Sequence, residues 1–243
     1  MDHYIRDKII VITGGSSGFG LEAARMVLEM GAKVAITGRD ADRLRRAEES
    51  LRHDDLLALR ADATRTDDWK RLIGAVLERF GRIDVLVNNH GAGIKITEVE
   101  NMEDDDIHTV LDVNLASVIK GCREAVRVMK TQASGHIVNV SSGCAYHSWP
   151  SWAVYTAAKD GMIGFTRCLH VEMAKWGGKA TTFVPGAART GFCQAAGIAD
   201  DWMEGFPDAR DFARSLVHAI DVPEHCFVEE VNVWGTKQVI VPF

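Results

Sequence analysis

Short runs of apolar, β-branched residues alternate along the chain with longer stretches whose apolar positions recur every three or four residues. The runs predict strands at residues 8–13, 33–37, 56–59, 83–88, 136–141, 179–184 and 238–241. Helical periodicity separates them, first over residues 18–30. The interior runs are almost continuously apolar, as in parallel strands that helices cover on both faces. The pattern therefore predicts an α/β fold with a doubly wound, mostly parallel seven-stranded sheet.

The alternation continues along the chain without a Pro/Ser-rich linker, a low-complexity tract or a repeat period. The one marked change in composition covers residues 186–211, which are rich in Gly, Ala, Asp and Phe. We therefore expect a single domain over residues 1–243, with a substrate-binding loop or short helix inserted around residues 186–211.

Charge and cysteine content exclude several classes of protein. The 28 basic residues among 243 are outnumbered by 34 acidic ones. The net charge of −6 therefore provides no positive electrostatic field that would attract the phosphate backbone of a nucleic acid. Five scattered cysteines without a C-x-x-C pair argue against a disulfide framework and against a zinc site. The N-terminus lacks the features of a signal peptide, and no apolar run approaches the ~20 residues that span a bilayer. We expect a cytoplasmic protein without a nucleic-acid, metal or membrane partner.

A glycine-rich segment, Thr13-Gly-Gly-Ser-Ser-Gly-Phe-Gly20, joins the first strand to the first helix. Glycines at 14, 18 and 20 allow a tight turn and a close approach to a pyrophosphate, which the helix N-terminus attracts. Ser16, Ser17 and Phe19 lie between these glycines. The segment predicts a nucleotide site, although an ordinary strand-to-helix turn would use two such glycines as well.

The end of the second strand bears on the choice of nucleotide. An acidic residue there hydrogen-bonds the ribose of NAD, but this chain has Gly38 followed by Arg39. An Arg pairs with a 2′-phosphate in a charge-assisted fork, so NADP(H) is favoured and NAD(H) is possible. The alternative is that Arg39 belongs to the solvated charge pattern of residues 39–46.

Tyr155 and Lys159 are four residues apart in a helical segment, so both side chains lie on one helix face. A neighbouring ammonium favours the phenolate, and Tyr155 would then exchange a proton with a substrate oxygen. An exposed helix also carries such a pair by chance. Two further residues favour the catalytic interpretation: Ser142 ends a strand 13 residues earlier, and Asn114 lies on the apolar stripe of its helix.

Taken together, these motifs resemble the short-chain dehydrogenase/reductase family over nearly the whole chain. They are Thr13-Gly-x-x-x-Gly-x-Gly20, Asp62, Asn88-Asn-His-Gly91, Asn114, Ser142, Tyr155-x-x-x-Lys159 and Pro185-Gly-x-x-x-Thr190. The resemblance implies a single-domain Rossmann fold and an NAD(P)-dependent oxidoreductase acting on CH–OH groups. It also implies a catalytic tetrad in which Tyr155 is the acid or base, Ser142 binds the substrate oxygen, Lys159 binds the nicotinamide ribose, and Asn114 holds a relay water.

The same resemblance implies a set of cofactor-binding residues. They are Gly14, Ser16, Ser17, Gly18, Phe19, Gly20, Arg39, Asp62, Ala63, Asn89, Gly91, Tyr155, Lys159, Pro185, Gly186, Ala188 and Thr190. Asp62 would receive the adenine amino group, or alternatively form an Asx turn at the strand end. Asn88 would brace the central strands, and Thr190 would lie beside the nicotinamide amide.

The chain departs from the family pattern at two places. His90 replaces the usual alanine of Asn-Asn-Ala-Gly, where it either lines the active-site mouth or fills a polar gap. Residues 231–243 lack the Asp-Gly-Gly ending of acyl-carrier and sugar-type members, so a substrate class is not carried over from them. A non-catalytic NAD(P)-binding protein and a reductase of acyl or sugar-type carbonyls stay open as alternatives.

Aromatic and apolar residues dominate the segments expected around the substrate. They include residues 91–93 and 143–147, Trp149, Trp152, Phe192 and Trp202. They favour an apolar or cyclic alcohol or ketone, although Trp149 and Trp152 would serve equally to pack an interface. The resemblance further implies a homotetramer through the helices of Asn114 and Tyr155. Its expected second apolar stripe, away from the sheet, is Val118, Cys122, Val126, Met162, Phe165 and Leu169.

Overall fold

The computed structural model of the chain describes residues 3–91, 96–192 and 204–238. The strands of its central sheet are β1 (Ile9–Ile12), β2 (Lys33–Gly38), β3 (Leu56–Arg60), β4 (Val85–Asn88), β5 (Gly135–Val140), β6 (Gly178–Pro185) and β7 (Glu230–Val233). They are all parallel and lie in the order β3-β2-β1-β4-β5-β6-β7. The predicted doubly wound, single-domain Rossmann fold is confirmed.

Seven α-helices cover the sheet in the described residues. They are α1 (Gly18–Glu29), α2 (Ala41–Leu51), α3 (Thr66–Phe80), α4 (Asp104–Leu111), α5 (Ser117–Thr131), α6 (Ala153–Ala174) and α7 (Ala209–Ile220). A five-residue π-helical turn, Asp112–Ala116, joins α4 to α5 and is called the π-turn below. None of the helices that the structure describes is long and apolar enough to cross a membrane.

The alternation of side chains in β1 shows how the helices form two layers. Ile10 and Ile12 pack with Phe212 of α7 and the buried face of α1, whereas Ile9 and Val11 pack with Trp69 of α3 on the other face. Because both faces of the strand are covered, all four of its residues are buried. This explains why the interior strands are continuous apolar runs in the sequence.

The seventh strand does not lie where the sequence pattern predicts it. β7 pairs with β6 at residues 230–233, whereas Gln238 lies outside any strand and residues 239–241 lie outside the described residues. β7 is an edge strand with an exposed Asn232 and only partly buried valines. Its polar and apolar residues alternate, so its signal is weaker than that of the apolar Val-Ile-Val run that follows.

The predicted second apolar stripe on α5 and α6 is also corrected. Val118, Cys122, Met162 and Leu169 do not face away from the sheet but are buried in the core layer beneath it. Val126 and Phe165 are partly buried against the same layer. Helical spacing identifies residues that share a face, but it does not say which layer that face contacts.

The topology places one opening at the carboxyl ends of the strands. β1 lies beside both β2 and β4, so the chain leads away from β1 in opposite directions in the two halves of the sheet. Loops after neighbouring strands therefore diverge at this point and leave a crevice, which is where doubly wound sheets bind ligands.

Candidate active site

The glycine-rich segment forms a loop whose backbone is open to the crevice. Gly14 and Gly18 have φ values of +65° and +56°, in the left-handed region that glycine adopts without strain. Ser17 precedes α1 in extended conformation, and its side chain makes no capping hydrogen bond to the helix. The first N–H groups of α1 are thus left to an anion, and the loop fits a pyrophosphate.

Gly20 has a different role from the other glycines of the loop. A Cβ at this position would lie 2.5 Å from Asn89 Nδ2 and 2.7 Å from the Gly14 carbonyl oxygen. Asn89 in turn donates from Nδ2 to the Thr13 carbonyl at 3.0 Å. Gly20 therefore permits the close packing of α1 on the loop, while it is not itself part of the cleft wall.

A cleft of about 1420 Å³ occupies the crevice. Its wall contains all the predicted cofactor residues except Gly20, together with Ser142. These are Gly14, Ser16, Ser17, Gly18, Phe19, Arg39, Asp62, Ala63, Asn89, Gly91, Tyr155, Lys159, Pro185, Gly186, Ala188 and Thr190. Asn114 does not line the cleft, and it reaches the site through Gly91 as described below.

Asp62 lies at the end of β3, where the adenine was expected. Its Oδ1 accepts hydrogen bonds from the N–H and the hydroxyl of Thr64, at 3.0 and 2.8 Å. Its own N–H donates to Asp68 Oδ2 at 2.8 Å, which lowers the pKa of Asp68. The Asx turn therefore exists, and the Asp62 carboxylate forms part of the cleft wall at the same time.

Three arginines line this end of the cleft, of which the sequence pattern identified only Arg39. Arg43 follows it by four residues in α2, and Arg60 ends β3. Arg60 Nε donates to the Arg39 carbonyl oxygen at 3.0 Å. Arg43 was detectable from its spacing to Arg39, whereas Arg60 joins the group only through the pairing of β2 with β3.

Tyr155 and Lys159 share the face of α6 that closes the other end of the cleft. Tyr155 is 7% exposed and Lys159 is 3% exposed. Lys159 Nζ donates to the Val140 carbonyl at 2.9 Å and lies 5.7 Å from the centre of the Tyr155 ring. Burial lowers the pKa of Lys159 to about 8, because the low-dielectric site disfavours its charge.

Asn114 lies in the π-turn, whose wider winding interrupts the regular ladder between α4 and α5. Its Nδ2 donates to the Val110 carbonyl at 2.9 Å. A Cβ on Gly91 would lie 3.1 Å from Asn114 Oδ1 and 3.7 Å from Lys159 Nζ. The amide and the ammonium therefore converge on one backbone position, where a larger residue would intrude.

Ser142 follows β5 and reaches the cleft from the strand side. Its Oγ accepts the Cys144 N–H at 3.2 Å and thereby caps the short turn of residues 143–145. Ser141 Oγ donates to the Lys159 carbonyl at 2.8 Å, which fastens the end of β5 to α6. Ser142, Tyr155 and Lys159 thus line one cleft. Burial raises the pKa of the Cys144 thiol, as expected of a packing residue.

His90 links the glycine-rich loop to the π-turn region. Its Nδ1 lies 2.7 Å from Thr13 Oγ1, and its Nε2 lies 2.7 Å from Ser117 Oγ. Because Ser117 Oγ donates to the Val113 carbonyl, it accepts from Nε2–H, and in a neutral ring Nδ1 is then the acceptor of the Thr13 hydroxyl, which also lies 3.2 Å from the Val87 carbonyl oxygen. Burial lowers the pKa of His90 to about 3, so the ring is neutral. His90 both lines the cleft and fills a polar gap.

Asn88 braces the two central strands, as the resemblance implied. Its Nδ2 donates to Asn139 Oδ1 of β5 at 2.8 Å. Asn139 then donates to Thr166 Oγ1 of α6 at 2.9 Å. This chain of buried hydrogen bonds ties β4 and β5 to the helix that carries Tyr155.

Aromatic rings surround Tyr155 on the substrate side. The Trp152 and Phe192 rings lie 5.7 and 5.9 Å from the Tyr155 ring, and Trp149 also lines the cleft. Ile96 and Gln238 line the same cleft and were not predicted. Trp202 and part of the predicted 91–93 and 186–211 segments lie outside the described residues.

Comparisons with known proteins agree with this geometry. Residues 8–200 match the family model described as short chain dehydrogenase. An uncharacterised oxidoreductase of Staphylococcus saprophyticus is 34% identical over 244 residues, covering 96% of this chain and 98% of the relative.

Two solved structures have a similar fold. Serine dehydrogenase complexed with NADP⁺ superimposes with a TM-score of 0.89 at 22% identity and covers 97% of this chain and 98% of its own. A metagenomic short-chain oxidoreductase in complex with NADP has a TM-score of 0.81 at 26% identity, with coverage of 94% and 97%.

Proposed function

The chain belongs to the short-chain dehydrogenase family, and from this premise we propose that it interconverts an apolar or cyclic secondary alcohol and its ketone with NADP(H). The observation that carries the proposal is the buried Tyr155–Lys159 pair in one cleft with Ser142. A protein that bound the nucleotide without chemistry would have no use for a buried phenol beside a buried ammonium.

The proposed chemistry assigns a role to each of these side chains. The bound nicotinamide supplies or accepts the hydride. In ketone reduction, the Tyr155 hydroxyl donates its proton to the substrate oxygen, and the Ser142 hydroxyl donates a hydrogen bond to the same oxygen. The Lys159 ammonium stabilises the Tyr155 phenolate that remains after the proton has been donated. Asn114, beside Gly91 and Lys159, would hold a water through which Tyr155 is reprotonated.

The preference for NADP(H) follows from charge at the adenosine end. Gly38 places no carboxylate at the end of β2, and three arginines, Arg39, Arg43 and Arg60, outnumber Asp40 and Asp42 in the wall there. Charge-assisted hydrogen bonds from guanidinium groups to phosphate are the strong kind. Two similar proteins of known structure hold NADP, which supports this choice, while NAD(H) fits the remainder of the cleft equally.

The substrate class follows from the rings around Tyr155. Trp152 and Phe192 pack on the Tyr155 ring, Trp149 lines the same cleft, and no described residue on this side of the cleft carries a charge apart from Lys159. Aromatic walls of this kind stabilise ring-shaped and apolar ligands more than free sugars.

A spectrophotometric panel tests the proposal. Purified protein is given NADPH or NADH with cyclic, aromatic and steroidal ketones, and with sugars and acyl thioesters for comparison, and oxidation of the reduced nicotinamide is followed by its near-ultraviolet absorbance. We expect turnover of apolar cyclic ketones with NADPH. Turnover restricted to sugars or acyl thioesters would refute the substrate class, and binding of NADPH without turnover of any carbonyl would refute catalysis.

A further inference from the structure

The segment that follows β7 forms part of the substrate side of the cleft. Residues 234–238, here called the C-terminal turn, close with a hydrogen bond from the Gln238 N–H to the Gly235 carbonyl at 3.0 Å. The Trp234 ring packs so closely on Gly143 that a Cβ there would overlap it, and a Cβ on Gly186 would lie 2.9 Å from the ring. The turn therefore bridges the loops after β5 and β6, one residue from Ser142.

Gln238 is held at the cleft wall by one end of its amide. Its Oε1 accepts the Ala187 N–H at 2.8 Å, and a Cβ on Gly186 would lie only 2.5 Å from that oxygen. Because a backbone N–H only donates, the acceptor must be the amide oxygen, which fixes Nε2 at the opposite end.

The two N–H groups of Gln238 Nε2 have no acceptor within residues 3–91, 96–192 and 204–238, and Gln238 lines the cleft. Ile96, Trp149, Trp152 and Phe192 supply apolar surface to the same cleft. In an apolar site, a single fixed donor discriminates strongly between ligands that offer it an acceptor and ligands that do not.

Resting on the proposed function, we propose that Gln238 is a specificity-determining residue whose Nε2 donates a hydrogen bond to a substrate oxygen other than the reacting one. The preferred substrate is therefore a cyclic ketone with a second oxygen function, as in a dione or a hydroxyketone. Gln238 lies against Gly186 and Ala187, so the donor belongs to the part of the cleft formed by the loop after β6, which Trp234 joins to the Ser142 loop through its contact with Gly143.

Two substitutions separate the donor from the anchor. Gln238→Glu retains an oxygen that accepts the Ala187 N–H but removes the Nε2 donors. Gln238→Met keeps the length of the side chain and removes both the acceptor and the donors. Thr236→Ala, at an exposed position of the same turn, is the matched control. Each protein is assayed with NADPH against cyclohexanone, cyclohexane-1,2-dione and cyclohexane-1,4-dione, and the dissociation constant of NADPH is measured separately.

We expect the wild-type and Thr236→Ala proteins to prefer at least one dione to cyclohexanone by about tenfold in kcat/KM, the usual scale of one hydrogen bond. Gln238→Glu and Gln238→Met should both lose that preference, and Gln238→Glu, which keeps the hydrogen bond to Ala187, should retain an affinity for NADPH within about twofold of wild type. Preference retained in Gln238→Glu and lost only in Gln238→Met would overturn the proposal, because Gln238 would then act only through Ala187.

Two other results would also overturn it: a wild-type protein without preference for either dione, or a Gln238→Glu protein whose loss is in NADPH affinity alone. Failure of the proposed function is distinct, since the wild-type protein would then reduce none of the three ketones. In that event, the affinity of the NADP⁺ complex for each dione, measured by quenching of tryptophan fluorescence, tests the role of Gln238 independently of turnover. Equal binding to wild type and Gln238→Glu, or no binding, contradicts the role of Gln238.

Discussion

At the residue scale, the site depends on ionisable groups that the fold buries. Lys159 is charged below a pKa of about 8, whereas His90 stays neutral because burial, and after it the charge of Lys159, lowers its pKa to about 3. The difference matters for chemistry, because a cation beside Tyr155 favours the phenolate and a neutral imidazole does not. His90 therefore positions its neighbours, and Tyr155 remains the candidate proton donor.

Replacing Tyr155 with Phe removes one hydroxyl and keeps the ring that packs on Trp152 and Phe192. We expect turnover to fall by ~10²–10⁴-fold, the usual contribution of a general acid or base, with NADPH affinity close to wild type. Steady-state rates and a fluorescence titration with NADPH measure the two quantities. Turnover within about tenfold of wild type would mean that another group transfers the proton.

Replacing Lys159 with Ala has a different expected effect. It removes the cation that favours the phenolate, so the pH at which alcohol oxidation becomes active should rise relative to wild type. It also removes a side chain from the cofactor cleft, so NADPH binding should weaken. A pH profile of oxidation measures the first effect, and an unchanged profile would show that Lys159 does not tune Tyr155.

Buried neutral histidines also make folding stability depend on pH. Burial lowers the pKa of His136 to about 3, as it does for His90. Between pH 3 and the ordinary value of 6.5, the unfolded chain binds a proton that the folded protein does not, so stability is lost as pH falls. We expect a loss of about 2 kcal/mol for each histidine between about pH 7.5 and pH 5.

Urea unfolding at these two pH values measures the loss, and His136→Gln should reduce the difference between them by about one histidine's share. His225→Gln, at an exposed position, serves as the control. An equally steep loss in His136→Gln and wild type would show that other groups cause the acid sensitivity.

At the scale of elements, the adenosine end is built from the turn after β2, the first turn of α2 and the end of β3. Arg39 is exposed at the turn, and Arg60 donates to its carbonyl oxygen. The N–H of Arg43 donates to the Asp40 side chain that caps α2, which also lowers the pKa of Asp40. The three guanidinium groups therefore belong to separate elements that meet only in the folded sheet.

Replacing Arg39 with Gln should weaken NADPH binding by about tenfold or more, because a charge-assisted hydrogen bond to phosphate contributes about 1.5–3 kcal/mol. NADH lacks the 2′-phosphate, so its affinity should not change. Arg46→Gln, one turn along α2 and outside the cleft wall, is the control. Equal losses for the two cofactors would place Arg39 outside the 2′-phosphate site.

The elements also show how much the sequence alone could predict. Interior strands such as β1 are buried on both faces and appear as apolar runs, and the four-residue spacing of Tyr155 and Lys159 places them on one face. Arg60 and Gln238 join the cleft, and Trp234 packs behind its wall on Gly143, through contacts between distant segments, which no local pattern records. β7 was misplaced for a related reason, since an edge strand has a weak pattern.

At the scale of the whole molecule, α5 and α6 cover the same face of the sheet, and each exposes an apolar residue. Ile119 of α5 is 38% exposed, and Val171 of α6 is 63% exposed. Four residues of the stripe first expected there are buried in the core, so an assembly through these helices would depend on other positions. Exposed apolar side chains on adjoining helices are candidates for a symmetric interface.

We predict that the protein is a homotetramer that associates through the outer faces of α5 and α6. Light scattering at micromolar concentration should then give about four times the chain mass of 26.7 kDa. Val171→Asp places a charge on α6 and should shift the population towards smaller species, because an unpaired charge is costly to bury. Val99→Asp, at a position that is 62% exposed outside these helices, should leave the mass unchanged. A mass near that of one chain for the wild-type protein would refute the tetramer, and equal effects of the two substitutions would refute its placement on α6.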